Sequence, residues 1–352
     1  MPKPVIGQTG DQRRGRSAGW PALRSDLRAA VPDATAALAI TVAIFWWLYA
    51  RVEAGTSTTI EVMPTMDDAN AYWMYWMSQA FGWSAMLWAW ITVMFGLLRS
   101  TEHPAWLPFS RVRLERWHRT TSLTTIGLTF AHAFILFAQF VRDDRESIGW
   151  GGPVVNAFAD VFVPGVFDSG TGRVAILIGL LAFYLSIPIG LAYYVRHRTG
   201  SRVWRVLHRF VLVVYVLSVW HTLLYGTSVW YDGTFRTIVW LCQLPVAALL
   251  LIRLLAPAHP HDRIRWAELL SDLTPAFVAR IAGRVAVALT VVVLLAVPLS
   301  GHDGGRVRGG ETQEPVATPV LLWIGLGALV TTIGIATYRA HRIARSSTNR
   351  NQ

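Results

Sequence analysis

The chain has 352 residues, of which 53% are hydrophobic and only 15% are charged. Because a globular domain carries roughly 25% charged residues, this composition excludes a pair of ordinary soluble domains and indicates an all-α, polytopic membrane protein. The net charge of +11 is what positive-inside membrane loops produce, so it does not indicate a nucleic-acid partner.

Eight apolar segments are predicted to form a transmembrane helical bundle, since each is close to the length of about 20 residues that a spanning helix needs. They lie at 34–50, 78–98, 120–141, 174–195, 207–226, 236–255, 281–299 and 319–338. The segments are separated by polar connections of very different charge, and these connections predict the orientation.

The charge of the connections alternates along the chain. The N-terminal tail, the second, fourth and sixth connections and the C-terminal tail are rich in arginine, whereas the intervening connections are acidic or mixed. Because basic loops stay on the cytoplasmic side, the alternation predicts about eight spans with both termini in the cytoplasm of a plasma (inner) membrane.

The predicted organisation has five parts. Residues 1–33 are a basic cytoplasmic tail and 34–255 are a six-span domain. A cytoplasmic linker at 256–280 leads to two additional transmembrane helices at 281–338, and 339–352 are a second cytoplasmic tail.

Two histidines lie deep within predicted spans, His132 in the third and His221 in the fifth. An ionisable side chain inside the membrane is costly and marks a functional site by default. His118 precedes His132 by fourteen residues, and His208 precedes His221 by thirteen. At about 1.5 Å per residue these spacings are about 21 Å and about 20 Å, so the histidines are predicted to form two levels.

The two spacings differ in azimuth. Fourteen residues fall about 40° short of four helical turns, so His118 and His132 share a helix face. Thirteen residues fall about 140° short. A bend, a locally tightened turn or tilted ligand planes must absorb this mismatch if His208 and His221 face one partner helix.

Bis-histidine haem ligation suits this arrangement, because haem iron takes axial imidazoles from opposite sides. The third and fifth spans run in the same direction, so His118 can meet His208 and His132 can meet His221. The four histidines are therefore the predicted axial ligands of two haem irons, which would form an electron path to an acceptor at the outer face.

The segments around these histidines resemble the ferric-reductase-like transmembrane domain, whose family includes NADPH oxidases, ferric reductases and the haem-bearing membrane subunit of periplasmic methionine sulfoxide reductase. The likeness rests on Arg116-Trp117-His118-Arg119, Ala131-His132-Ala133, the residues from Trp204 to Arg209, and Trp220-His221. It covers about the first six spans, 34–255. The resemblance implies a transmembrane oxidoreductase component with an inner haem b on His118 and His208 and an outer haem b on His132 and His221.

Family members that reduce iron or oxygen directly often carry a flavin and NADPH domain after the sixth span. Here 256–280 is only a basic stretch, and no dinucleotide fingerprint or phosphate-binding loop appears in the sequence. We therefore expect a separate flavoprotein reductase or a membrane quinol to supply electrons, and any flavin to belong to that partner.

Arginines flank the predicted inner histidines at Arg116, Arg119, Arg205 and Arg209. A guanidinium binds a carboxylate such as a haem propionate bidentately, and the same residues can instead anchor the cytoplasmic helix ends. Arg119 and Arg209 are the candidate cofactor-binding residues of this set.

Two other functions fit parts of the pattern. Diheme cytochromes b of quinol-oxidising respiratory complexes also have eight spans, but their ligands lie on the second and fourth spans and their Pro-Glu-Trp-Tyr motif is missing here. A haem-free transporter or scaffold would use the histidines as proton or metal sites.

Overall fold

The computed structural model describes residues 19–100, 108–144, 151–167, 172–230 and 233–255, together with Arg284, Val285, Ala288, Val291 and Val292. All regular secondary structure within these residues is helical, which confirms the all-α prediction. The linker at 256–280, the C-terminal tail and the predicted eighth span lie outside the described residues, as does the predicted seventh span apart from the five residues just named.

Six segments of the described chain are long and apolar enough to cross a membrane, in agreement with the first six predicted spans. We number them first to sixth: Val31–Glu53, Trp73–Ser100, Arg111–Asp143, Ala175–Arg198, Leu207–Tyr225 and Thr234–Arg253. The fourth span belongs to helix Gly172–Thr199. The fifth crosses helices Ser201–Arg209 and Val211–Tyr225, and the sixth crosses helices Thr234–Leu241 and Gln243–Leu255.

Local sequence signals account for several helix ends. Pro21 and Pro32 lie in the first turns of helices Trp20–Ala29 and Val31–Glu53, where a missing N–H breaks no helical hydrogen bond. Ser110 caps the third span because its hydroxyl accepts a hydrogen bond from the Arg113 N–H at 3.3 Å.

Shorter helices flank the spans. The N-terminal helix Trp20–Ala29 lies inside the segment predicted as a tail, and its Asp26 is buried. Helix Thr58–Val62 and the 3₁₀ turn Pro64–Met66 join the first two spans. The loop helix Gly151–Phe162 follows the third span and packs against it.

The second to fifth spans form the centre of the bundle. The second packs along the third, the fourth packs along the fifth, and the third also touches the fourth. The largest buried cluster joins the second, fifth and sixth spans through residues such as Val93, Val219 and Val246. The third and fifth spans face each other across a cavity of about 230 Å³ that residues of the second to fifth spans line.

Candidate functional site

The four predicted histidines lie in two facing pairs. In the first pair, the ring centres of His118 and His208 are 5.8 Å apart, and in the second pair those of His132 and His221 are 6.2 Å apart. The two ring planes of each pair are nearly perpendicular, at 83° and 70°. Each pair joins the third span to the fifth, which is the pairing that the helix directions predict.

These separations suit a metal ion between the rings. A metal–imidazole bond is about 2 Å long, so two imidazoles on opposite sides of one metal have ring centres roughly 6 Å apart. The geometry of both pairs therefore fits one bridging metal centre per pair.

Three of the imidazoles have their Nδ1 atoms held by backbone carbonyls. Nδ1 of His118 donates to Thr92 O at 2.9 Å, that of His132 to Ser78 O at 2.7 Å and that of His221 to Ala175 O at 2.8 Å. Because a carbonyl oxygen only accepts, Nδ1 carries the proton in each ring. Nε2 then keeps its lone pair for a metal, as in other metal-ligating histidines.

His208 is held in a different way. The indole of Trp204, one helical turn earlier, stacks on its imidazole with ring centres 5.4 Å apart and an interplanar angle of 22°. Within the described residues, the His208 ring makes no hydrogen bond. Packing, rather than a carbonyl acceptor, therefore orients this imidazole.

The fifth span contains a tightened turn between its two histidines. The Phe210 N–H donates to Leu207 O and the Val213 N–H donates to Phe210 O, both at 3.0 Å. Each of these hydrogen bonds joins residues three apart, rather than the four of an α-helix. A residue wound at three per turn advances about 20° further than an α-helical residue. The turn at Phe210 therefore takes up part of the azimuthal mismatch between His208 and His221.

The surroundings of the second pair are mostly apolar. His132 and His221 both line the cavity, and the Tyr225 ring stacks on His221 with ring centres 6.1 Å apart. Between the two levels, the buried Tyr215 hydroxyl donates to Gln243 Oε1 at 2.6 Å. The second pair therefore lies in a mostly apolar cavity, in which the Ser78 hydroxyl is 3.1 Å from His132 Nδ1.

Arg119, which directly follows His118, has a partly buried side chain. Its Nη1 donates to the Tyr193 hydroxyl at 3.0 Å, and its Nε lies 3.6 Å from Asp26 Oδ2, which is too long for a hydrogen bond. That buried Nε has no hydrogen-bond partner among the described residues. In contrast, the side chains of Arg116, Arg205 and Arg209 are exposed.

The donor set fits haem better than a free metal ion. No group of three or more His, Cys, Asp or Glu side chains that could hold a metal occurs among the described residues. Haem iron takes only two axial ligands from the protein, and each pair offers two imidazoles. Arg119, which follows His118 in the chain, adds a buried Nε donor that makes no hydrogen bond and that lies 3.6 Å from the Asp26 carboxylate.

Sequence reasoning missed the residues that hold these ligands. Ser78, Thr92 and Ala175 act through backbone carbonyls, which carry no residue-specific signal. Asp26 lies in the segment 1–33, which the sequence predicted to be a cytoplasmic tail. One signal was present, because Ser78 and Thr92 are separated by the same fourteen residues as His118 and His132.

A family model described as the ferric reductase like transmembrane component matches residues 81–219. This range contains His118, His132 and His208 and ends two residues before His221, so the resemblance seen in the sequence is confirmed, over a shorter stretch than 34–255. Transmembrane components of this family generally bind haem. Searches of curated proteins and of solved structures found no match.

Proposed function

We propose that the protein is a diheme b-type cytochrome that moves electrons from a cytoplasmic donor to an acceptor at the outer face. The match of residues 81–219 to the model of a ferric reductase like transmembrane component supports this proposal. The observation that carries this proposal is the pair of histidine levels on the third and fifth spans, with ring centres 5.8 and 6.2 Å apart.

The four histidines would be the axial ligands. His118 and His208 would hold the inner haem, and His132 and His221 the outer one. A bound haem supplies one-electron chemistry at its iron. The chain itself orients the imidazoles, keeps Nδ1 protonated through the carbonyls of Thr92, Ser78 and Ala175, and limits the access of water to the ligand nitrogens.

Arg119 and Arg209 are the proposed partners of the inner haem's propionates. The guanidinium of Arg119 supports its role, since it has five N–H donors, Tyr193 accepts from one of them, and the buried Nε is ion-paired with Asp26 at 3.6 Å but makes no hydrogen bond. The exposed Arg209 side chain is free of packing constraints that would prevent it from turning toward a carboxylate.

The proposed topology has eight spans with both termini in the cytoplasm of the plasma (inner) membrane. The alternating charge of the connections supports it. With that orientation the first pair lies nearer the cytoplasm, so a separate flavoprotein reductase, which would bring the flavin, or a quinol would deliver electrons there.

A reduced-minus-oxidised spectrum of the purified protein tests the proposal. We expect b-type bands, part of which should persist in H132A or H221A and the complementary part in H118A or H208A. H197A is the matched control, because His197 is exposed at the end of the fourth span and belongs to neither pair.

Two outcomes contradict the proposal. A purified chain without b-type bands leaves a haem-free transporter or scaffold as its function. Equal loss of all bands from every histidine variant would contradict two separable levels. If bands are present, the reductant that reduces them, a flavoprotein or a quinol, identifies the electron donor.

A further inference from the structure

Three glycines each face one of the four histidines at close range. A Cβ atom added at Gly96 would lie 3.1 Å from Cε1 of His118, and one added at Gly82 would lie 3.1 Å from Nδ1 of His132. At Gly179 the added Cβ would lie 2.6 Å from Nδ1 of His221. Favourable non-bonded contacts of carbon begin at about 3.5 Å, so each imidazole occupies space that any other residue would fill.

The glycines are in register with the carbonyls that accept the same three Nδ1 protons. Gly82 follows Ser78, Gly96 follows Thr92 and Gly179 follows Ala175, by four residues in each case. Residues four apart lie on the same face of a helix. Each carbonyl and its glycine therefore form one surface, which we call an imidazole seat.

The seat has a physical reason for its spacing. In a helix the carbonyl of residue i accepts the N–H of residue i+4, and its oxygen has a second lone pair. A side chain at i+4 would stand beside that lone pair. Glycine leaves the space open, so that the imidazole reaches the carbonyl while its ring lies against the helix backbone.

The two seats of the second span repeat the spacing of the ligands. Gly82 and Gly96 are fourteen residues apart, as are His132 and His118 on the antiparallel third span. The second span therefore places one glycine opposite the third-span histidine at each of the two levels. His208, which stacks on Trp204, is the ligand for which no glycine of the described chain provides a seat.

We propose that Gly82, Gly96 and Gly179 are positioning residues that set the orientation of three haem ligands, an inference that rests on the proposed function. Each glycine acts at one level only. Gly96 controls the inner haem through His118, whereas Gly82 and Gly179 control the outer haem through His132 and His221.

The test compares G82A, G96A and G179A in the full-length protein, purified with bound haem. We expect G179A and G82A to lower the affinity for the outer haem by about 10- to 100-fold, the range typical of residues that orient metal ligands. They should also shift its midpoint potential and low-spin EPR signal. G96A should change the inner haem alone, and G179A should have the largest effect because its clash is the shortest.

Two other glycines of the bundle provide matched controls. A Cβ at Gly127 of the third span would meet no atom within 4 Å, so G127A should leave both haems unchanged. A Cβ at Gly190 would lie 2.7 Å from Ile126 Cδ1, so G190A introduces a clash of similar size against a side chain that is not a ligand.

The possible results separate the inference from the proposed function. A wild-type protein without b-type bands contradicts the proposed function. A wild-type protein with two haems, whose three glycine variants match G127A in potential and EPR signal, contradicts the inference. If the three glycine variants and G190A all disturb both haems equally, the effect comes from bundle packing, and this result also contradicts the inference. If G179A does not accumulate in cells, the test uses G82A and G96A, whose clashes are milder, with the same comparison of midpoint potential and EPR signal.

Discussion

At the scale of single residues, the Nδ1 contacts determine which nitrogen each histidine presents. A backbone carbonyl at 2.7–2.9 Å holds the proton on Nδ1 of His118, His132 and His221, and this leaves the Nε2 lone pair available. Metal-ligating histidines are commonly fixed in this way. His208 depends on aromatic stacking instead, so we expect its orientation to be sensitive to substitution of the stacking residue Trp204.

Replacement of Trp204 should affect the inner haem selectively. We expect W204A to lower inner-haem occupancy, because His208 loses the ring that stacks 5.4 Å away, whereas W204F retains a stacking partner and most of the haem. Haem content and the split of the reduced-minus-oxidised bands measure the effect.

Trp73 provides the control for this substitution. Its side chain is 39% exposed at the start of the second span, so W73A should leave both haems in place. Identical spectra for W204A and wild type would contradict the role of Trp204.

At the scale of elements, the fifth span shows how a helix adapts to two ligands on one partner. Its histidines are thirteen residues apart, one fewer than those of the third span. The tightened turn at Phe210 adds rotation between them, and its two three-residue hydrogen bonds keep the backbone groups satisfied. This local change of winding helps to keep both rings toward the third span.

The N-terminal helix Trp20–Ala29 is tied to the third and fourth spans by one buried carboxylate. Asp26 Oδ2 accepts a hydrogen bond from the Tyr194 hydroxyl at 2.9 Å and lies 3.6 Å from Arg119 Nε. Arg119 directly follows the ligand His118. The helix therefore reaches the level of the first pair, although its sequence is that of a polar tail.

Removal of this carboxylate should release the helix. We expect D26A to weaken its docking by about 1–3 kcal/mol, since the buried Tyr194 hydroxyl loses its acceptor. Faster amide hydrogen exchange across Trp20–Ala29 measures the release. S25A is the control because Ser25 is exposed on the same helix. Equal exchange rates in D26A and S25A would contradict the role of Asp26 in docking the helix.

At the scale of the whole molecule, orientation follows from charge. The connection before the third span is basic and the one after the first span contains acidic residues, so they should lie on opposite sides of the membrane. The free Cys242 can be replaced by alanine to give a cysteine-free background.

Cysteines placed at two exposed positions of that background test the orientation. A membrane-impermeant thiol reagent applied to intact cells should label T56C, which follows the first span, and should label R111C only after the membrane is opened. The reverse pattern would place the first pair at the outer face and contradict the proposed direction of electron flow.

The sequence by itself determined the all-α membrane class, the first six spans and the resemblance to a ferric reductase like transmembrane component. These depend on apolar length and on the rarity of ionisable groups inside spans, both of which are one-dimensional properties. His132 and His221 were identifiable for the same reason. The spacings of fourteen and thirteen residues then indicated His118 and His208 and predicted two levels.

Only the tertiary structure decided what holds the ligands in place. The carbonyls of Ser78, Thr92 and Ala175 belong to backbone, which has the same chemistry at every residue, so no sequence pattern marks them as acceptors. Gly82, Gly96 and Gly179 resemble ordinary packing glycines until the distances to the imidazoles are known. Asp26 and Arg119 are 93 residues apart in the chain, and their proximity depends on how the helices pack.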